Sequence, residues 1–155
     1  MIKIRVIAVG KDKDPWVTQG AAHYEKLLKR WAHVEWILPA ADTAPSSSPA
    51  EIVRREAAAI LDHWQDTFHI ALSDRGRSLD SPQLAQQLQK WLAHEKSPLS
   101  FVIGGPHGLD DEVLRRADFV LSLSPLTFSH QVVRVVLLEQ LYRVLSIIHG
   151  TDYHK

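Results

Sequence analysis

Three short segments hold the residue types that grip or transform a ligand. The first is Leu72-Ser73-Asp74-Arg75-Gly76-Arg77, which sets hydroxyl, carboxylate and guanidinium groups beside a glycine. The second is Gly104-Gly105-Pro106-His107-Gly108, whose glycines permit positive φ and let backbone approach a ligand closely. Taken alone, that cluster reads equally as a ligand cradle or as a tight strand-to-helix turn. The third runs from Ser122 to His130 and includes Leu126 and Phe128, which suit solvent poorly. The expectation is a buried loop whose amides and carbonyls need partners. A nucleoside supplies them, because backbone bonds to an adenine with Leu and Pro on its faces require no signature charge.

Several chemistries are excluded. The glycine cluster is not Gly-x-Gly-x-x-Gly and follows the fourth apolar run instead of the first, so it is no Rossmann fingerprint. No Gly-x-x-x-x-Gly-Lys-Ser/Thr exists, which removes a P-loop. The absence of cysteine removes a disulfide framework, a thiolate metal site and a cysteine nucleophile. His23, His33, His63, His69 and His94 show no ligand spacing, so no metal is expected.

The elements that must position these segments alternate along the chain. Ile2–Val9, Val34–Leu38, Phe68–Leu72, Leu99–Ile103 and Phe119–Leu123 read as five strands, several apolar on both faces as helix-covered parallel strands are. Asp14-Pro15, Ser48-Pro49 and Ser81-Pro82 each set a capping residue before a helix-starting proline, and Ser48 to Glu51 has capping-box spacing. A short helix is expected over 110–117 and a long one over 131–149. The order β-α, five times over, argues a single α/β domain covering 1–155, its mostly parallel sheet clad by helices on both faces. In open sheets of this kind ligands lie beyond the carboxyl ends of strands, where all three segments fall. Residues 40–49, rich in Ser, Pro and Ala, read as a mobile surface loop. Apolar residues cover most of the final helix, more than one sheet face requires, and the surplus points to a homodimer interface.

Composition fits that picture. The 155 residues are 45% hydrophobic, ordinary for one globular domain. Charges break the N-terminal apolar run and the most apolar stretch, Val132–Ile148, so neither a signal peptide nor a membrane span is expected, and a cytoplasmic protein is. Lys plus Arg and Asp plus Glu total 18 each, so the basic footprint of many nucleic-acid binders is missing.

The motifs carry a resemblance. Gly104-Gly105-Pro106-x-Gly108-Leu109, Leu121-Ser122-Leu123-Ser124-x-Leu126-Thr127, His130, Arg134, Glu139-Gln140-Leu141-Tyr142-Arg143 and the terminal Tyr153-His154-Lys155 are similar, in order and spacing, to the RlmH family of small SPOUT-class methyltransferases. The resemblance spans the chain and is most specific in its C-terminal half. It implies a C-terminal trefoil knot, a homodimer, and transfer of a methyl group from S-adenosylmethionine to N3 of a pseudouridine in 23S rRNA. The substrate would be the assembled ribosome or large subunit, which suits a neutral protein that binds bare RNA weakly. The implied cofactor pocket comprises Leu72, Gly104, Leu123, Ser124, Pro125, Leu126, Thr127 and Phe128. The implied catalytic group comprises His130, Arg143, Tyr153 and His154, with the last two in a tail that closes over a flipped-out nucleotide. Arg134 is a candidate for phosphate or pyrimidine contact or for an ion pair, Lys11, Lys13, Arg75 and Arg77 for RNA contact, and His107 for ligand contact. A SPOUT methyltransferase acting on tRNA and a non-enzymatic nucleotide-binding module of flavodoxin-like architecture are the alternatives.

Overall fold

Apolar runs that need cover on both faces end up in the middle layer of three. The computed structural model describes residues 1–41, 44 and 47–155, and its five strands form one parallel sheet in the order β2-β1-β4-β3-β5. They are β1 (Ile2–Ala8), β2 (Ala32–Ile37), β3 (Phe68–Ser78), β4 (Leu99–Ile103) and β5 (Phe119–Ser122). The central β4 is buried along its whole length. Helices α1 (Pro15–Leu28), α3 (Ser81–Leu92) and α5 (Val132–Ile148) cover one face, and α2 (Pro49–Leu61) and α4 (Asp111–Arg116) the other. Alternation along β1 serves both cores, since Ile4, Val6 and Ala8 enter the first and Ile7 and Val9 the second. The α/β architecture with helices on both faces is as the periodicity expects. Of the expected surface loop 40–49, Asp42, Thr43, Pro45 and Ser46 lie outside the described residues. Among those described, no helix is long and apolar enough to cross a membrane.

Strand β3 corrects one boundary. The apolar run stops at Leu72, yet the strand continues to Ser78. Leu121 of β5 pairs with Leu72 and again with Arg77, so residues 73–76 swing out of the ladder and then rejoin it. Gly76 makes the return possible, because a Cβ there would sit 2.7 Å from the carbonyl oxygen of Val120. What reads as a loop after a strand is an excursion from within one.

The proline-marked helix starts also hold, with one shift. Ser48 accepts a bond from the amide of Glu51 at 3.2 Å. The α3 cap is Asp80 instead of Ser81, and it forms a full capping box with Gln83 at 2.8 and 2.9 Å. Ser81 donates instead to the side chain of Gln140 on α5.

Helix α5 settles between α1 and α3 on the sheet. It runs parallel to α1, with Gly20 so close that a Cβ there would meet Val135 methyls at 3.2 and 3.3 Å. Flanking helices therefore bury much of the apolar surface that composition leaves without a partner, and Val132, Val133, Val135 and Val136 stay only partly open. Arg134 is a second correction. It is fully buried and engaged within its own chain, bonding Asp12 at 2.7 Å and the carbonyls of Val9 and Gly10 at 2.8 and 2.7 Å. No surface remains on it for a phosphate or a base.

Candidate active site

The carboxyl ends of β3, β4 and β5 open into a cleft of about 550 Å³, within the usual range for a small-ligand site. All three segments singled out from the sequence line it. Leu72, Ser73 and Asp74 come from the β3 excursion, 104–109 from the turn after β4, and Leu123, Ser124 and 126–130 from the loop after β5. Of the expected cofactor residues, Leu72, Gly104, Leu123, Ser124, Leu126, Thr127 and Phe128 face this space, while Pro125 sits between lining neighbours without lining it itself.

The turn after β4 is built from backbone. Gly108 donates to the carbonyl of Gly105 at 3.0 Å, closing a turn with Pro106 at its second position and Gly108 at φ +81°. A Cβ on Gly104 would lie 2.6 Å from the oxygen of Gly108, so only glycine lets the two arms approach. Gly105 is walled by the carboxylate of buried Glu56, 2.9 Å from where its Cβ would be. Both open readings of the cluster thus hold together: the tight turn is itself the wall of the cleft.

The loop after β5 departs from expectation. It is largely exposed instead of buried, with Leu126 at 72%. Short side chains satisfy its backbone locally and remove the need for burial. Ser122 donates to the carbonyl of Ser124 at 2.9 Å, the Ser124 hydroxyl accepts from the Leu126 amide at 3.0 Å, and Ser129 accepts from the amide of Val132 at 3.2 Å. The loop is preshaped and leaves apolar side chains at the rim of an open cleft.

His130 follows this loop and lines the cleft, as does His107. Burial, then the charges of Arg134 and Lys13, holds the His130 imidazole below its ordinary pKa of 6.5. It is therefore neutral near pH 7 and able to accept a proton. Its neighbour Gln131 donates to the carbonyl of Lys11 and accepts from the amide of Lys13, both at 3.2 Å, which ties the β1–α1 loop to the cleft wall. His69, by contrast, is buried elsewhere, stacked on Trp64 at 3.7 Å and 3.2 Å from the hydroxyl of Thr67. Among the described residues, no group of three or more His, Asp or Glu side chains converges as a metal site would need.

The other expected catalytic residues gather away from the cleft. Glu139 on α5 accepts from Arg143 Nε and Nη2 at 3.0 and 2.7 Å and from the Tyr153 hydroxyl at 3.2 Å. The Arg143 guanidinium lies 4.8 Å from the Tyr153 ring centre and 3.4 Å from His154 Nδ1. Burial, then a hydrogen bond with Tyr24, raises the Tyr153 phenol well above its ordinary range. Along α5, thirteen residues separate Arg143 from His130, or about 20 Å at 1.5 Å per residue. Within one chain the two groups stand apart. Ser73, Asp74, Leu109, Ser129 and Val133 also line the cleft without having been singled out as binding residues. For Asp74 a signal existed, since it is a carboxylate in the segment that leaves the β3 ladder.

Comparison with known proteins places this geometry. A family model described as "Predicted SPOUT methyltransferase" matches residues 2–154. The chain belongs to the SPOUT methyltransferase family. Proteins named ribosomal RNA large subunit methyltransferase H from Acetivibrio thermocellus and from Bifidobacterium animalis subsp. lactis are 40% and 42% identical to it, each over 99% of this chain and the whole of the relative. A probable methyltransferase from Bordetella pertussis superposes with a TM-score of 0.57 at 18% identity, over 93% of this chain and 96% of that one. A probable methylase family protein from Haemophilus influenzae does so at 0.52 and 16%, over 99% and 70%. A SPOUT methyltransferase requires a methyl donor, and the cleft at the strand ends is the space this fold offers one.

Proposed function

We propose that this SPOUT methyltransferase moves a methyl group from S-adenosylmethionine to N3 of a pseudouridine in 23S rRNA. The substrate is the assembled ribosome or large subunit, in the cytoplasm, and the working form is a knotted homodimer. The observation that carries the reading is the meeting of the glycine turn and the Leu123–Phe128 loop across one cleft. The names of the relatives point the same way, since both describe large-subunit rRNA methylation.

The residues fit a nucleoside cation. Backbone at 104–108 and the preshaped 122–129 loop offer amides and carbonyls to an adenine, with Leu72, Leu123 and Phe128 as apolar walls. Asp74 is the one acidic side chain of the cleft, and it suits the charge of a sulfonium. Bound there, the donor supplies an activated methyl group with a neutral thioether as its leaving group. The remaining task for the protein is alignment, which is worth about 7–11 kcal/mol when a nucleophile is held in line. The N3 proton must also leave, and neutral His130 at the rim takes it. In a dimer, the Arg143–Tyr153–His154 cluster of one copy completes the cleft of the other, which reconciles the separation within one chain. Arg143 then faces the pyrimidine oxygens on which negative charge grows.

Two outcomes follow for single residues. Asp74→Asn is expected to weaken donor binding about three- to tenfold, more at low salt, read by calorimetric titration. For His130 the sign runs from its lowered pKa. The imidazole is neutral above 6.5 and gains a proton only below that value, so the rate falls on the acid side of pH 6.5. His130→Gln is expected to be slow at every pH and to lack that acid limb.

The deciding experiment incubates the protein with labelled S-adenosylmethionine and, separately, ribosomes, large subunits and tRNA, and then maps the label. Methyl groups on a 23S pseudouridine support the reading. Label on tRNA would assign a different SPOUT reaction, and no transfer to any RNA would leave a nucleotide-binding module.

A further inference from the structure

The neutral balance of charge raises the question of how this protein holds an RNA strand, and the start of α1 offers an answer. Trp16 is 51% exposed in the first turn of that helix, an uncommon position for so large an apolar ring. Its place relative to the cleft follows from helix packing. Since α1 and α5 run parallel and Gly20 abuts Val135, one turn back along each helix sets Trp16 level with Gln131. Gln131 adjoins His130, which lines the cleft. The same Gln131 fixes the backbone of Lys11 and Lys13, both exposed, so two cations share the neighbourhood of the ring. Asp12, between them, is already bound to Arg134. An exposed aromatic face beside unpaired cations, next to a site that acts on a base, is the chemistry that holds single-stranded nucleic acid.

We propose that Trp16, with Lys11 and Lys13, is a stacking platform for an unpaired nucleotide next to the target base. The proposal rests on reading the cleft as an RNA-modifying site. It accounts for grip without a basic surface, because stacking draws on the π-face of a base and needs few phosphate contacts. The loop is anchored through backbone, so alanine at the lysines leaves both bonds to Gln131 in place.

The test compares wild type, Trp16→Ala and Trp16→Tyr in methyl transfer to large ribosomal subunits and in retention of a labelled single-stranded RNA oligonucleotide at low salt. Trp16→Ala is expected to lower kcat/KM for subunits about 10- to 100-fold, with donor affinity unchanged and Trp16→Tyr within about threefold of wild type. A Lys11→Ala/Lys13→Ala double variant is expected to flatten the salt dependence of oligonucleotide binding by a slope of about 1. Equal kcat/KM for wild type and Trp16→Ala overturns the platform and leaves the reaction standing. Dissociation of Trp16→Ala into monomers also overturns it, by assigning the ring to a contact between copies. Where wild type itself methylates no ribosomal particle, the assigned reaction falls, and oligonucleotide retention alone decides the platform.

Discussion

A chain ending at Gly150 is expected to bind S-adenosylmethionine as the full-length protein does and to lose methyl transfer by about a thousandfold or more. The two halves of that outcome come from different places in the molecule. Donor contacts lie on the β3 excursion, the glycine turn and the loop after β5, none of which touches residues 151–155. The tail instead organises Arg143. With Tyr153 gone, Glu139 keeps its bonds to the guanidinium but loses the hydroxyl, and the ring and imidazole that flank Arg143 disappear. Losing one preorganised donor already costs about 100- to 1000-fold in enzymes of other classes. Titration calorimetry and a single-turnover assay on the same preparation read both quantities. Full activity in the shortened chain would reject a catalytic tail, and lost donor binding would show that the truncation had disturbed the cleft itself.

Arg134→Leu is expected to cost about 3–5 kcal/mol of folding stability, read as a lower urea midpoint at unchanged slope. The guanidinium is wholly buried and serves one carboxylate and two carbonyls at once. Removing it strands the Asp12 carboxylate and leaves the Val9 and Gly10 oxygens without their donor. Arg134→Lys is expected to recover only part of the loss, because a single ammonium lacks the planar fork that reaches all three. A loss under about 1 kcal/mol would contradict the buried role. Retained stability with lost RNA binding would restore the contact role that the sequence suggests.

The difference between what was legible and what was not has a consistent physical cause. Apolar runs and Asp-Pro, Ser-Pro junctions announce their elements because their partners are local or generic: any covering helix satisfies Val102, and Ser48 reaches Glu51 three residues away. The cleft was legible for the same reason, since glycines and a serine-rich bend shape their own backbone. Long-range partners were not. Nothing in Ser73–Ser78 marks a strand until β5 lies alongside, and Arg134 looks like a ligand contact until the end of β1 is in reach. The loop at 122–130 was misread as buried because Leu126 and Phe128 weigh heavily in a sequence, while the serine bonds that free it from burial show only in space.

The bonds from Arg134 and Gln131 to residues 9–13 span 118 to 125 positions of sequence. During synthesis the segment at 9–13 leaves the ribosome among the first and waits for nearly the whole polypeptide before its anchors exist. Any nascent or proteolysed form lacking the last helix therefore carries a slack first crossover. Maturation is gated by the final stretch to be translated, and partial products are inert by construction.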